Sequence, residues 1–558
     1  MNQNKLTTVI EYFYRWEKEK ADHVFLRQPY GEQWTALTFS EAGEQVRRMV
    51  SALRALGLKP GDHIGLSSKN CLHWFLADLA IMMGGYVSVP FYPSLPKDQF
   101  EQVIALADLK GIFLGRHDQW DNKSDAIPEE MPIILFPQYQ GDAQISNGEQ
   151  WQSLIEANTP YTGEFRPKLD DLWTILFTSG TTGTPKGVML PHRNPALLME
   201  TERQKNWIGV GLIDEQRFFS FLPLNHVAER MGVEVPAIVL GGEVSFAENL
   251  SSFAANISAS RPTFIFAVPR IWTLFYQGVI EKVPENKLKF LLKLPIIGKR
   301  VRRKLLAAIG FADLKIAATG AAITPAFIKD FYRQLGIHLI EAYGMTETSG
   351  GITNGVDLDT PSDSVGRCMP GTQIKIDEQT GEILMHTPYM MTGYYKAEEK
   401  TQEVLKDGWL HSGDIGKLDE QGYLYVTGRI KDAFKTAKGS FVTPNPLEEV
   451  ILGNEYVEQV CVAGTGIPQP LALINLSEAG IAADKQIVAD AIKKTIDDLN
   501  PLRAKHERIS TAIIQSEAWS PENGILTPTL KVKRNELDQK FSRDYLAWHE
   551  SEETVIWT

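Results

Sequence analysis

Residues 37–68 read LTFSEAGEQVRRMVSALRALGLKPGDHIGLSS, and this stretch predicts one helix followed by one strand. Thr38 and Glu41 have the spacing of a capping box, in which each side chain accepts a hydrogen bond from the other residue's backbone. Apolar residues then recur at helical spacing between Val46 and Leu56. A glycine and a Pro-Gly pair end the helix, and the apolar run that follows is typical of a buried strand.

The same order of elements returns at residues 261–280 and 314–344, where strands again alternate with helical patterns. Such alternation predicts an α/β protein whose β-sheets are covered by helices. The 558 residues also exceed what a single hydrophobic core usually holds, so we expect more than one domain.

The composition narrows the classes of function. The chain has 57 basic and 69 acidic residues, a net charge of −12, and nucleic-acid-binding proteins are more often basic, so we expect no nucleic-acid partner. Cys71, Cys368 and Cys461 form no CxxC pair, which argues against disulfides or a thiolate metal site. The N-terminus lacks the pattern of a signal peptide, and no run of about 18 apolar residues occurs. The sequence therefore predicts a soluble, cytoplasmic protein.

One segment differs from this acidic background. Residues 282–311 contain nine lysines and arginines between positions 282 and 304, interleaved with leucine and isoleucine. One interpretation is a basic amphipathic patch that contacts the inner face of an anionic membrane peripherally. The other is a solvated helical insertion whose apolar face packs on the core. Pro295 and Gly298 interrupt the periodicity, which weakens the first interpretation without removing it.

A second unusual stretch is ILFTSGTTGTPKGVMLPH at residues 175–192, in which glycines and hydroxyl side chains precede a lysine. Exposed backbone N–H groups and hydroxyls cradle phosphate oxygens, and a lysine supplies compensating charge. The stretch is not a Walker A loop, because Pro185 and Gly187 occupy the positions of its second glycine and its Ser/Thr. An apolar, strand-like run follows instead of a helix, so a phosphate site outside the P-loop fold is predicted; an ordinary polar hairpin turn is the alternative.

Five further motifs follow this loop in order: FLPLNHVAER (221–230), TGAAITP (319–325), EAYGMTETSGG (341–351), WLHSGDIGKLDEQGYLYVTGRIKD (409–432) and TPTLKVKRNEL (527–537). The series resembles the AMP-forming acyl-adenylating superfamily of acyl-CoA synthetases, luciferases and adenylation domains. LPLNHVAER, VPRIW and GRIKD resemble its long-chain fatty acyl-CoA synthetase branch.

This resemblance implies a division of the chain into two domains. Residues 1–428 would form a large domain of helix-covered β-sheets that holds the ATP and acyl sites. Residues 429–431 would be a hinge that includes Lys431, and residues 432–558 a small, mobile α+β lid.

The resemblance also assigns the phosphate loop. Its residues would hold the β- and γ-phosphates of ATP, with Lys186 as a catalytic charge that neutralises and aligns them. The residues assigned in this way are Thr178, Ser179, Gly180, Thr181, Thr182, Gly183 and Lys186.

In the box at 341–351, Glu347 would ligate a Mg²⁺ ion that bridges the phosphates, since this hard cation prefers carboxylate oxygen. Thr346 would bond the α-phosphate, Tyr343 would stack on adenine, and Gly344 would let the backbone approach the nucleotide. Glu341 and Ala342 belong to the same nucleotide-binding segment.

Small residues are implied to lie against the nucleotide and the acyl carbonyl, namely Gly320, Ala321 and Ala322. His226 would form a wall of the acyl-adenylate site near the reacting carboxylate, without a role in proton transfer. The segment that follows it, with Val227, Met231 and Val233, would line part of a tunnel for the hydrophobic tail.

The remaining motifs complete the site. Asp414 would accept hydrogen bonds from the two ribose hydroxyls, and Arg429 would reach ribose or phosphate. Lys531 would be the closing lysine that the lid delivers, with Lys533 as the alternative. Gly439 lies in the lid loop that faces the incoming thiol in the family.

Taken together, the sequence predicts a ligase that uses ATP and Mg²⁺ to convert a long-chain fatty acid to acyl-AMP and then transfers the acyl group to coenzyme A. Ser440 and Phe441 replace a polar pair of the long-chain relatives in the loop that faces the thiol. An acyl-AMP ligase that passes its product to a carrier protein therefore remains an alternative, as does an inactive nucleotide-binding homologue. The first alternative predicts no release of AMP on addition of coenzyme A, and the second predicts no release of pyrophosphate.

Overall fold

The structure is a computed structural model that describes residues 6–120, 123–178, 185–520, 523–527, 531–551 and 553–558. It confirms the helix and the strand predicted for residues 37–68. Thr38 Oγ1 accepts a hydrogen bond from the Glu41 backbone N–H at 3.2 Å, and the Glu41 carboxylate accepts one from the Thr38 N–H at 2.8 Å. The predicted capping box is therefore present at the start of this helix.

The described part of the chain alternates helices with strands along most of its length. Its α-helices are α1 (Val9–Glu19), α2 (Phe39–Ala55), α3 (Leu72–Gly84), α4 (Lys97–Leu106), α5 (Trp151–Ala157), α6 (Arg193–Lys205), α7 (Val227–Glu229), α8 (Val235–Leu240), α9 (Phe253–Ser260), α10 (Pro269–Lys282), α11 (Glu285–Lys293), α12 (Pro295–Ala308), α13 (Ala326–Gln334), α14 (Glu398–Val404), α15 (Asn445–Leu452), α16 (Glu478–Ala482), α17 (Lys485–Leu499), α18 (Arg534–Phe541) and α19 (Tyr545–Glu550).

The strands of the first two thirds of the chain are β1 (Val24–Tyr30), β2 (Gln33–Thr38), β3 (His63–Ser67), β4 (Val87–Pro90), β5 (Leu109–Leu114), β6 (Ile133–Leu135), β7 (Glu149–Gln150), β8 (Leu172–Thr178), β9 (Lys186–Pro191), β10 (Arg217–Ser220), β11 (Glu243–Phe246), β12 (Phe264–Ala267), β13 (Ile316–Gly320), β14 (Leu339–Tyr343), β15 (Thr353–Asn354) and β16 (Arg367–Cys368). The later strands are β17 (Gln373–Ile376), β18 (Glu382–His386), β19 (Gly393–Tyr394), β20 (Leu405–Lys406), β21 (Trp409–Leu418), β22 (Leu424–Arg429), β23 (Phe434–Lys435), β24 (Phe441–Val442), β25 (Val457–Ala463), β26 (Leu471–Leu476), β27 (Thr511–Gln515) and β28 (Val555–Trp557).

The first large sheet brings several of the predicted motifs to one edge. Its strand order is β16-β15-β14-β13-β12-β10-β11-β1-β2, and β10, β12, β13 and β14 are adjacent and parallel. The carboxyl ends of parallel strands meet at one edge of a sheet, where ligands of open α/β sheets bind. The segment 221–230 follows the end of β10, and the segments 319–325 and 341–351 include the last residues of β13 and β14.

The second large sheet carries the predicted phosphate loop. Its strand order is β19-β9-β8-β4-β3-β5-β6-β7, and β8 and β9 form an antiparallel hairpin that pairs Thr178 with Lys186. This strand–loop–strand arrangement agrees with the rejection of a Walker A motif, which would lead into a helix. Ser179, Gly180, Thr181, Thr182 and Gly183 lie outside the described residues.

A third sheet, of antiparallel strands, completes the large domain. It contains β17, β18, β20, β21 and β22, and its β21–β22 pair brings Asp414 opposite Arg429. The C-terminal residues then form a small α+β domain around the sheet β25-β26-β27-β28, with β23 and β24 as a separate hairpin. This small domain has hydrophobic clusters of its own, separate from those of the large domain.

The basic segment forms the helices α11 and α12, whose inner residues pack on a core cluster of the large domain. Leu288 is buried there, as the interpretation of a solvated insertion requires. A second apolar set is left exposed: Phe290 is 64% exposed, Ile296 70% and Ile297 47%. A bilayer-spanning helix, one both long and apolar enough, does not occur among the described residues.

Candidate active site

A single cleft of about 3430 Å³ collects most of the predicted site residues. Its lining includes residues of the large domain and residues of the small C-terminal domain. The predicted residues that line it are Thr178, Lys186, His226, Ala321, Ala322, Glu341, Ala342, Tyr343, Gly344, Thr346, Glu347, Asp414, Arg429, Lys431 and Lys531.

Among the described residues predicted to bind the nucleotide or to face the thiol, Gly320 and Gly439 are not part of this lining. Gly320 ends β13, where a Cβ atom would lie 2.7 Å from the Ala342 carbonyl oxygen, so only glycine permits this strand packing. Gly439 lies in the turn between β23 and β24 of the small domain, with φ at +77°. The predicted role of Gly439 beside the incoming thiol therefore has no support from the cleft as it is formed here.

Tyr394 links the predicted phosphate lysine to the predicted metal ligand. The Lys186 ammonium lies 4.9 Å from the centre of the Tyr394 ring, and the Tyr394 hydroxyl donates a hydrogen bond to Glu347 Oε1 at 2.7 Å. Burial and the neighbouring Glu347 carboxylate both raise the pKa of Tyr394, so its hydroxyl stays protonated and donates. The sequence motifs did not include this tyrosine, because only the pairing of β19 with β9 brings it to the site.

Glu347 has the chemistry that a nucleotide-bound Mg²⁺ requires. Its carboxylate is buried at the wall of the cleft, and one of its two oxygens accepts the Tyr394 hydroxyl. Mg²⁺ in nucleotide sites is held by one or two carboxylates together with substrate phosphates. The Glu347 carboxylate therefore fits the predicted role as a ligand of nucleotide-bound Mg²⁺.

The predicted ribose residues form a connected group. Asp414 accepts a hydrogen bond from the Tyr343 hydroxyl at 2.8 Å, and its other oxygen is 3.0 Å from Arg429 Nε. Burial and the Asp414 carboxylate raise the pKa of Tyr343, which keeps this hydroxyl protonated as the donor. Each carboxylate oxygen has a second lone pair that remains for a ribose hydroxyl.

The backbone around the nucleotide segment is tightly packed. A Cβ atom at Gly344 would lie 2.7 Å from backbone atoms of Gly350 and Gly351, and Ala321 has a φ of +65°, which is unusual for a residue with a Cβ. The Glu341 carboxylate is engaged inside the protein, 2.5 Å from Lys329 Nζ and 2.7 Å from the Thr324 backbone N–H. Glu341 thus fixes the end of β14, and its place in a nucleotide-binding segment stays a prediction.

His226 is held as a neutral hydrogen-bond donor. Its Nδ1 accepts a hydrogen bond from the Ala228 backbone N–H at 3.1 Å, so the ring proton is on Nε2. Burial lowers the pKa of His226 to about 4, and the positive charge of Lys531 acts in the same direction. A histidine of this pKa does not exchange protons near neutral pH, which agrees with the role predicted for it as a wall of the site.

A buried charge network fixes the segment that follows His226. The Arg230 guanidinium is 2.6 Å from Asp78 and 2.9 Å from Glu234, and it donates to Thr174 Oγ1 at 2.8 Å. Burial raises the pKa of Glu234 well above its usual range. Because an unpaired buried charge is costly, this network ties the segment to α3 and β8.

This segment is a π-helix (Arg230–Glu234), a form that often occurs at functional sites. Val227 and Met231 line the cleft, as predicted, and face the glycine loop of the nucleotide box at Gly350. Val233 is fully buried and does not line it, so the prediction was wrong for this residue. A straight α-helical projection of the sequence does not reveal this, because the π-helix changes which side chains share a face.

Lys531 enters the cleft from the small domain. Desolvation lowers its pKa to about 8; the Arg429 guanidinium acts in the same direction and the Asp414 carboxylate in the opposite one. The residue as a whole is nevertheless exposed to solvent. Lys531 and His226 line the same cleft, and the charge of Lys531 lowers the pKa of His226, whereas Lys533 caps the start of α18.

Comparison with known proteins agrees with this geometry. Residues 13–395 match the family model described as AMP-binding enzyme, and residues 431–551 match that of the AMP-binding enzyme C-terminal domain. The long-chain-fatty-acid–CoA ligase FadD15 of Mycobacterium bovis is 28% identical, with 96% of each chain covered. Long-chain-fatty-acid–CoA ligase 6 of Rattus norvegicus is 30% identical over 92% of this chain and 82% of its own length.

Solved structures share the fold at lower sequence identity. The anthranilate CoA ligase AuaEII in complex with anthranoyl-AMP has a TM-score of 0.78 and 18% identity, and covers 97% of this chain and 99% of its own. The A domain of carboxylic acid reductase from Segniliparus rugosus, in complex with AMP and a co-purified carboxylic acid, has a TM-score of 0.81 and 20% identity over 98% and 94% of the two chains. These likenesses concern the fold alone.

Proposed function

The chain belongs to the AMP-binding enzyme family, and from this premise we propose that it joins a long-chain fatty acid to coenzyme A while cleaving ATP to AMP and pyrophosphate. The observation that carries the proposal is the position of Lys531. This cation of the small domain lines the same cleft as Arg429 and as His226 and Asp414 of the large domain, and its charge is felt at His226. The names of the relatives support the choice of a long-chain acid and of coenzyme A.

In the first half-reaction, a carboxylate oxygen of the acid bonds to the α-phosphorus of ATP, and the bond from that phosphorus to the β-phosphate oxygen breaks. Two anions must approach each other, so charge neutralisation and alignment are the main catalytic requirements. Lys186 would align the leaving phosphates, and Lys531 would offset the negative charge at the carboxylate and the α-phosphate. His226 would donate a hydrogen bond from its Nε2–H to the reacting carboxylate, without transferring the proton. When bound through Glu347, Mg²⁺ would supply further positive charge to the phosphates.

In the second half-reaction, the thiol sulfur of coenzyme A attacks the acyl carbon and AMP leaves with the former carboxylate oxygen, while the thiol proton passes to solvent. The side of the acyl carbon that Lys531 covers must then become accessible. We therefore retain the predicted mobile lid at 432–558 and its hinge at 429–431. In support, β22 ends at Arg429 and the match to the C-terminal family model begins at residue 431.

The acid's hydrocarbon tail has an apolar region of the same cleft available to it. Side chains of α6, of the segment after it, of the π-helix region and of the first large sheet line this region. They are Leu198, Met199, Trp207, Ile208, Val210, Val227, Met231, Phe266, Ile340 and Met369. Cavities for apolar ligands are lined mainly by such side chains, with few polar groups at one end.

A membrane surface is the proposed source of this poorly soluble substrate. The tip of the α11–α12 pair exposes Phe290, Ile296 and Ile297 among lysines and arginines, and α10, which precedes it, contributes Leu274 and Tyr276 to the cleft lining. Apolar side chains surrounded by basic ones suit peripheral contact with an anionic lipid surface. The net charge of −12 of the whole chain disfavours contact through other surfaces, so the patch would orient the protein.

The decisive experiment measures pyrophosphate release and acyl-AMP for saturated acids of increasing chain length, with and without coenzyme A. We expect acyl-AMP without coenzyme A, and acyl-CoA with AMP release once it is added, with a maximum at long chains. Adenylate that coenzyme A does not consume would identify a carrier-protein ligase instead. Absence of pyrophosphate release with every acid would identify an inactive homologue.

A further inference from the structure

An ion pair joins the large domain to the small one at the rim of the cleft. Arg270 lies in the first turn of α10 and is paired with Glu458 of β25 in the small domain. The two side chains are 34% and 32% exposed, and both residues line the cleft. Arg270 belongs to the VPRIW motif, which the reaction described above does not use.

Two neighbouring contacts lie at the same boundary. The Glu449 carboxylate, on α15 of the small domain, lies close enough to the Ala326 backbone at the start of α13 for that backbone to act on its pKa, in the lowering direction. A Cβ atom built at Gly453, which follows α15, would lie 3.7 Å from the ring of Phe327 in α13. Burial raises the pKa of Glu449, with the Glu341 carboxylate acting in the same direction. These contacts place α15 of the small domain against the start of α13, and α13 itself packs on α10, which carries Arg270.

The same part of the small domain holds the closing lysine. Arg534, three residues after Lys531, donates to the Val462 carbonyl of β25 at 3.1 Å and is paired with Glu448 of α15. Glu458 and Lys531 are therefore attached to one packed body. A contact that fixes β25 against the large domain also fixes where Lys531 enters the cleft.

We propose that Arg270 and Glu458 are positioning residues that select the domain orientation in which Lys531 serves acyl-AMP formation. The proposal rests on the proposed function, because it concerns how the two half-reactions share one site. Arg270 touches neither reacting atom and acts by holding the small domain.

The modest strength of the pair suits this role. A half-exposed ion pair typically contributes about 0.2–1 kcal/mol, which corresponds to a population change of roughly 1.4- to 5-fold. An ion pair of that strength biases the orientation of the small domain. It does not prevent the rotation of that domain that precedes attack by the coenzyme A thiol. A fully buried pair at this position would oppose rotation much more strongly.

The test uses charge reversal in the full-length protein. Acyl-AMP formation is measured in single turnovers without coenzyme A, and thioester formation is measured separately from supplied acyl-AMP and coenzyme A. We expect R270E and E458R each to slow acyl-AMP formation by roughly 5- to 10-fold, since repulsion replaces attraction. Thioester formation should be unchanged or faster, and the R270E/E458R double variant should regain most of the acyl-AMP rate.

Two controls separate positioning from general damage. R217E reverses a partly exposed ion pair with Asp313 that lies wholly inside the large domain, so it should change neither half-reaction. Energy transfer between dyes at Leu212→Cys and Leu502→Cys, two exposed sites in different domains, reports the domain orientation without any reaction. Cys368→Ser in that background removes the partly exposed natural thiol. R270E should shift the transfer distribution, and the double variant should shift it back.

Equal loss of both half-reactions in the single variants would overturn the proposal, as would failure of the double variant to recover. An unchanged energy-transfer distribution in R270E would overturn it as well. A wild-type protein that forms no acyl-AMP with any acid would instead refute the proposed function, while the energy-transfer result would still report whether the ion pair orients the domains.

Discussion

The rate of acyl-AMP formation should fall at alkaline pH, because the ammonium of Lys531 then loses its proton. Desolvation lowers its pKa from the ordinary 10.5 to about 8. The positive charge of Arg429 also lowers this pKa, whereas the negative charge of Asp414 raises it. If the charged form is required, activity is complete well below pH 8 and is lost above it. The fraction protonated would be half at pH 8 and roughly one tenth at pH 9.

The assay measures acyl-AMP in the absence of coenzyme A, so that no thiol titrates in the same range. The value of kcat/KM for ATP reports the free enzyme and should decline with an apparent pKa near 8. The value of kcat reports the complex with substrates, in which the triphosphate's negative charge favours the ammonium, so its decline should occur at higher pH.

Two substitutions locate the titrating group. Lys531→Arg keeps a permanent positive charge, so the variant should be slower but should lose the alkaline decline in kcat/KM. Lys533→Arg is the matched control, and its profile should be that of the wild type. The reasoning is refuted if the decline persists in Lys531→Arg, or if it disappears in Lys533→Arg instead.

Three further outcomes test other parts of the site. Tyr394→Phe keeps the ring near Lys186 but removes the hydrogen bond to Glu347. Because hydrogen bonds to charged groups contribute about 1.5–3 kcal/mol, kcat/KM for MgATP should fall by about tenfold or more. Tyr395→Phe is the control: this hydroxyl bonds to Asp108 instead, and its removal should have little effect. Gly320→Val places a Cβ 2.7 Å from the Ala342 carbonyl, so urea unfolding should show a loss of about 1–3 kcal/mol, and an unchanged midpoint would contradict this packing. Replacing Phe290 and Ile296 together by serine should release the protein from sedimenting vesicles of anionic phospholipid, whereas Leu502→Ser, at another exposed site, should not; equal binding by both would argue against the proposed patch.

Several features could be predicted from the sequence because they depend on neighbours along the chain. The capping box of Thr38 and Glu41, the helix and strand after it, and the strands that flank the predicted phosphate loop follow from local spacing and apolar runs. The order of the short motifs was sufficient to identify the family and the general α/β fold.

Other features depend on residues that are distant in the chain, and their spacing could not reveal them. Tyr394 reaches Glu347 across 47 positions, and Arg230 reaches Asp78 across 152. The same limit applies to Glu341, whose motif suggested a nucleotide ligand but whose carboxylate pairs with Lys329. A side chain's partner is decided by how sheets and helices pack, and many packings are compatible with one local pattern.

The sequence by itself thus determined which chemical groups are available, and it predicts their roles: a phosphate lysine, a metal carboxylate, a ribose carboxylate and a closing lysine. Only the tertiary structure decided that Lys531 and His226 line one cleft, that Val233 is buried away from it, and that Arg270 meets Glu458 across the domain boundary. The physical reason is that residue types fix which charges and hydrogen bonds are available, whereas burial and long-range packing fix which of them meet and how their pKa values change.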